Sequence, residues 1–323
     1  MQHKIITFVL FTLIAPVCQA QTLENLFEQV NKIGVLSLSE TDGWNGPVEA
    51  RIVQNEIRKH INDKQVDSLR QHHHSSIENV FAFMLALEMG MDKQVCYEWL
   101  MNDIINDETQ IKLQRYDKYW NEKASDVCIK LALFYPNDVI TTGMSTKILD
   151  TVFWSDKYLL LESIDFAIEK HAGQQNCYER IVEIYRKTSN PSALEALISY
   201  DTQFVRNLAG NIVDNYVKRG THVKDTRSLL HAMSKYHFDY HLHLLEMIRD
   251  CELTPYVQSQ VIYDVIFAAM SYQNKWSFNF LEKTFETMQK LNTLSINIRN
   301  INNAYSAYGK PVIYSPLIDK YCL

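Results

Sequence analysis

Residues 190–220 read NPSALEALISYDTQFVRNLAGNIVDNYVKRG, two helices written one after the other. Asn190 before Pro191 marks a start, because an asparagine side chain caps free N–H groups and a first-turn proline loses no hydrogen bond. Asp201 opens a second run, in which Val205, Ala209, Ile212 and Val213 fall on one helical stripe. The same rhythm extends outward. Residues 76–89 place Ile77, Val80, Phe81 and Met84 together and stop at Gly90, a residue suited to a left-handed helix cap. Residues 256–272 repeat Val257, Val261, Val265 and Ala269 after Thr254 as N-cap and Pro255 in the first turn, and residues 275–290 align Phe278, Leu281, Phe285 and Met288. With nine glycines and seven prolines in 323 residues, turn-rich doubly wound and all-β folds are disfavoured. About fourteen helices joined by short loops are predicted. Residues 292–302 suit either a strand (Leu294, Ile296, Ile298) or a helix (Leu294, Ile298, Ile301), and residues 35–46, with Gly43 and Gly46, read as a loop.

The segment 190–220 resembles a HEAT repeat, in which one helix packs on a second that begins with an Asp, a Val-Arg pair and a small residue three positions on. Asp201, Val205, Arg206 and Ala209 carry the resemblance. Elsewhere it persists as a helix-pair rhythm, at 158–188 and 256–290. It implies an all-α fold of antiparallel helix pairs stacked as an α-solenoid, with an irregular helical bundle or an α/α toroid as alternatives. It also implies that Asp201 and Arg206 are scaffold residues, holding neighbouring units together by hydrogen bonds.

The first twenty residues, MQHKIITFVLFTLIAPVCQA, have a short basic start, an apolar stretch from Ile5 to Ala15 and small residues before Ala20. That is the layout of a secretory signal peptide, with an apolar run too short to span a bilayer. Cys18 raises lipidation, but Pro16 and Val17 do not make the small-residue context of a lipid-attachment site. The expected organisation is a signal peptide over 1–20, an N-terminal helix and loop over 21–46, and a helical repeat domain over 47–323. Cleavage removes Lys4 and takes the formal charge from −6 to −7. Such a chain, with no Lys/Arg cluster, lacks the electrostatic footprint of a nucleic-acid binder. No second long apolar run follows, so no integral membrane segment is expected after cleavage.

Cys96, Cys128, Cys177, Cys251 and Cys322 are an odd set spaced by dozens of residues, read as buried helix cysteines, although two disulfides remain open in an oxidising compartment. His231, His237, Asp239, His241 and His243 are the densest polar group. His237 and His241, one helical turn apart, are the metal-ligand candidates, yet Asp239 and His243 point to the opposite side, and no HExxH pattern occurs. His72, His73 and His74 project in three directions from any helix. Neither GxSxG, a P-loop nor a dinucleotide glycine pattern is present, so no catalytic residue and no cofactor is assigned. Tyr236, His237, Tyr240 and His241 would suit a sugar-binding groove.

These features lead to the expectation of an exported, non-enzymatic helical-repeat protein that binds another protein. It would be periplasmic in a Gram-negative bacterium and otherwise secreted, as an immunity factor against a secreted toxin or an envelope accessory factor. A polysaccharide-processing helical toroid and a metal-binding protein using His231–His243 are the alternatives.

Overall fold

The computed structural model describes residues 23–38, 49–71, 75–134, 140–254 and 260–322. The fold is all-α: 17 α-helices accompany one three-stranded sheet among the described residues. The expectations for 1–20, His72–His74, Gly43, Gly46, Pro255 and Val257 lie outside them. The chain forms two compact units, one running to Asp150 with Leu161–Ser163 added, the other comprising Thr151–Leu160 and everything from Ile164.

The first unit contains α1 (Leu23–Ile33), β1 (Val35–Ser37), α2 (Glu49–His60), α3 (Asp63–Gln71), α4 (Ser76–Glu88), α5 (Lys93–Trp99), β2 (Gln110–Arg115), β3 (Lys118–Lys123) and α6 (Ala124–Phe134). The helix α7 (Thr142–Trp154) begins here, and its residues from Thr151 belong to the second unit. Helix α4 is the core, with α1, α3, α5, α6 and β1 packed around it. Its sequence SIENVFAFMLALE is apolar on every side, as a helix enclosed by neighbours requires. Ser75 and Glu78 close a capping box at its start, and Gly90, at φ +68°, takes the left-handed turn after its end.

The sheet is the departure from the expected loop at 35–46 and from the all-helical rhythm. Strand β1 pairs parallel with β2, and β2 pairs antiparallel with β3. The cause is a period-two pattern, Ile111 and Leu113, which sends both side chains into the core. Strand β1 has no further strand beside it among the described residues. The buried Gln54 amide covers Ser37 instead, its nitrogen toward the Ser37 carbonyl and its oxygen toward the Ser37 N–H, 3.2 Å each. Asp126, also buried, accepts from the Glu162 and Ser163 N–H groups at 2.9 Å and from the Ser163 hydroxyl at 2.7 Å, tying Leu161–Ser163 into this unit.

The second unit runs through α8 (Ile164–His171), α9 (Tyr178–Thr188), α10 (Pro191–Ile198), α11 (Gln203–Arg219), α12 (Val223–Lys235), α13 (Asp239–Glu252), α14 (Gln260–Ser271), α15 (Lys275–Lys290), α16 (Leu294–Ala307) and α17 (Ser315–Tyr321). Helices α8, α10, α12, α14 and α16 touch in succession and form one layer. In the other layer α11 meets α13 and α15 meets α17, while α9 packs on α10, α13 on α14 and α15 on both α14 and α16. Short connections make consecutive helices antiparallel neighbours, and each pair buries its apolar faces against the next. The ambiguous 292–302 stretch lies in helix α16: Leu294, Asn297 and Ile301 are buried while Ile296 is exposed, the three-and-four spacing of a helix. In α15 the buried aromatic residue beside Leu281, Phe285 and Met288 is Phe280, with Phe278 only half-buried.

Candidate functional site

Four side chains of α12 share one face: Lys224, Arg227, His231 and Lys235, at steps of three, four and four residues. The helices on either side supply carboxylates. Arg227 donates to Asp264 of α14 at 2.6 Å, and His231 Nδ1 lies 2.7 Å from Glu195 of α10, with Lys235 Nζ 3.9 Å from the same carboxylate. The depression they frame has a volume of about 390 Å³ and is bounded by Pro191 and Phe267 at its apolar ends. Phe267 continues the surface toward α16 through ring contacts with Tyr263 and Tyr308, at 6.1 and 4.8 Å. Exposed pairs of this kind contribute about 0–1 kcal/mol each, so they add little stability to a layer already held by apolar packing. They leave a polar groove across three successive helices. Lys224 at its mouth has no ion-pair partner among the described residues.

The residues of the HEAT-like pattern fall in this unit. Val205 and Ala209 are fully buried on α11. Asp201 and Arg206 pair with each other through two 2.7 Å hydrogen bonds, which holds the Asp201 carboxyl below its ordinary range. The Arg206 guanidinium lies 5.5 Å from the Tyr240 ring centre, so the pair meets the next helix pair through an aromatic face.

The histidine segment is arranged differently from a single helical face. Helix α13 starts only at Asp239, so His237 precedes it, and the one-turn relation between His237 and His241 is absent. His237 Nε2 meets Ser271 Oγ at 2.9 Å, and its ring lies 4.3 Å from Tyr272. His241 is fully buried, packed 4.3 Å from the Tyr240 ring with Nδ1 3.4 Å from the Tyr272 hydroxyl. Burial drives its pKa down to about 4 and raises the Tyr240 phenol to about 12. His231 serves the α12 groove, and His243 is exposed. Among the described residues no three His, Cys, Asp or Glu side chains gather as a metal-binding group. A small polar cavity of about 290 Å³ lies between Asp201, Arg206, His237 and Tyr240.

The five cysteines among the described residues are free thiols, four of them buried. Burial pushes Cys96 and Cys322 up to about 11 and Cys128 well above its ordinary value. Such thiols behave as small apolar side chains. Cys177 differs in that its sulfur lies 3.6 Å from His171 Nδ1.

The groove carboxylates Glu195 and Asp264 escape a sequence reading because they come from other helices. The sequence reading named only His231 of the α12 stripe, although Lys224, Arg227, His231 and Lys235 follow at helical spacing. No protein-family model matches this chain, and neither a curated protein nor a solved structure shows significant similarity to it.

Proposed function

We propose that this chain is an exported, non-enzymatic, HEAT-like repeat protein that binds another protein through the face formed by α10, α12 and α14. The observation that carries this reading is the groove along α12, where charged and aromatic side chains from three successive helices are presented together. Repeat stacks bind in this manner because each added helix extends one continuous surface. Its mixed charges, with an aromatic end, favour a protein partner, for which paired charges give specificity and aromatic side chains give contact area. The signal-like first twenty residues support export. An immunity factor against a secreted toxin and an envelope accessory factor are the two roles that suit an exported binding scaffold.

The metal alternative uses the His231–His243 segment and the polysaccharide alternative uses Tyr236, His237, Tyr240 and His241, so the two share His237 and His241. His241 is sealed from solvent, whereas His237 is exposed, with Nε2 on Ser271 and its ring beside Tyr272, so the two side chains are not presented to solvent together.

The test uses the chain from Gln21 onward as bait in an envelope extract, beside a Lys224→Glu/Arg227→Glu variant with an unchanged circular dichroism spectrum. The expected result is one protein retained by the wild type and lost by the variant. Equal capture by both, or turnover of a glycan with no partner retained, would overturn the proposal.

A further inference from the structure

The first unit holds a larger cavity, about 620 Å³, with a different character from the α12 groove. Its lining mixes apolar side chains with polar ones, the buried Ser37 and Glu122 among them. Met84 of α4, Leu113 of β2 and Val127 of α6 are buried there, and Leu131 and the exposed Phe134 form a lip. A cavity of this volume that sets an apolar patch beside placed polar groups has the form of a small-molecule site.

The charged groups at the rim sort into spent and unspent. Arg58 is closed onto Glu88 by two 2.8 Å hydrogen bonds. Lys130 reaches Glu122 at 2.8 Å and Glu162 at 2.6 Å, and the second oxygen of Glu122 accepts from the Trp120 indole at 3.1 Å. Arg115 has no ion-pair partner among the described residues, though it too lines the cavity. Its position follows from the pleat. Ile111, Leu113 and Arg115 alternate along β2 on one face, so the apolar row ends in a guanidinium.

A second, independent observation points to an anion. In the antiparallel register Arg115 stands directly opposite Lys118. Like charges facing each other across a strand pair are destabilising, and Asp117 in the intervening turn offsets only one of the two. The hairpin tip is therefore net positive beside the apolar patch of the cavity.

We infer that this cavity binds an amphipathic monoanion, specifically a medium-chain carboxylate, with its chain over Met84, Leu113 and Phe134 and its carboxylate at Arg115. The guanidinium fork matches a carboxylate in two parallel hydrogen bonds. A cationic head would face Arg115 and Lys118, and a neutral one would leave them unpaired. This inference rests on the first unit and is independent of the partner-binding proposal.

Decanoate titrated into the full-length mature chain by calorimetry tests it. The expected result is saturable one-to-one binding with a dissociation constant on the order of tens of micromolar. Arg115→Glu and Phe134→Glu alter exposed side chains and are expected to leave the melting curve in place while weakening decanoate at least about tenfold. Decanol and decylamine are expected to bind more weakly than decanoate. Decanoate that fails to saturate the wild type below about 1 mM would remove the site. Decanol binding as tightly as decanoate, or Arg115→Glu binding it unchanged, would overturn the anion assignment.

Discussion

His241 shows how far a side chain's neighbours can displace its chemistry. Its ring is enclosed by Tyr240 and Tyr272, and burial holds its pKa at about 4, below the ordinary 6.5. The unfolded chain binds a proton at His241 near pH 6.5, whereas the folded chain does so only near pH 4. Protons in that window therefore favour the unfolded state. The stability His241 contributes is complete above pH 6.5 and declines as pH falls toward 4, by up to about 3 kcal/mol at the usual 1.36 kcal/mol per pKa unit. Urea unfolding of wild type and His241→Phe across pH 4–7 is expected to show a shallower acid limb in the variant. An unchanged acid limb would place the acid sensitivity elsewhere. The histidine cluster was visible in the sequence, but its division among a groove, a stacking contact, a buried site and solvent was not. Each of those environments is supplied by residues some thirty positions away, such as Glu195, Ser271 and Tyr272.

Helix α11 connects sequence pattern to packing most directly. Thr202 caps it by accepting from the Val205 N–H, and Gly220 ends it at φ +64°, a conformation that costs glycine little. Val205 and Ala209 are sealed between helices, and Tyr216 donates from the same helix to Glu252 of α13. Val205→Asp or Ala209→Arg places a charge in that seam with no partner, and a loss of about 3–5 kcal/mol is expected in equilibrium unfolding. Wild-type melting in either variant would show that the buried face has been misassigned. The helices were legible because their 3.6-residue period repeats over many turns. The β2–β3 hairpin was not: its alternation covers only Ile111 and Leu113, and its two-residue turn, Tyr116 and Asp117, lacks glycine although Tyr116 sits at φ 54°. So short a period is overridden easily, and here the pairing with β1 and the packing on α4 supply what it lacks.

The proposed export is a property of the chain as a unit, because it would act before folding and rests on the first twenty residues. Expression in a Gram-negative host is expected to yield a periplasmic protein whose N-terminal sequence begins at Gln21. A chain recovered in the cytoplasm and starting at Met1 would overturn the export proposal. Helical class, most helix positions and the buried stripe of α11 were all legible, since each depends on residues within a few turns of one another. The carboxylates completing the α12 groove, the withdrawal of His241 from solvent, the Gln54 cover over β1 and the cavity at Arg115 were not. Those features arise from contacts between distant segments, and a local period records which face of a helix is buried without recording what it is buried against.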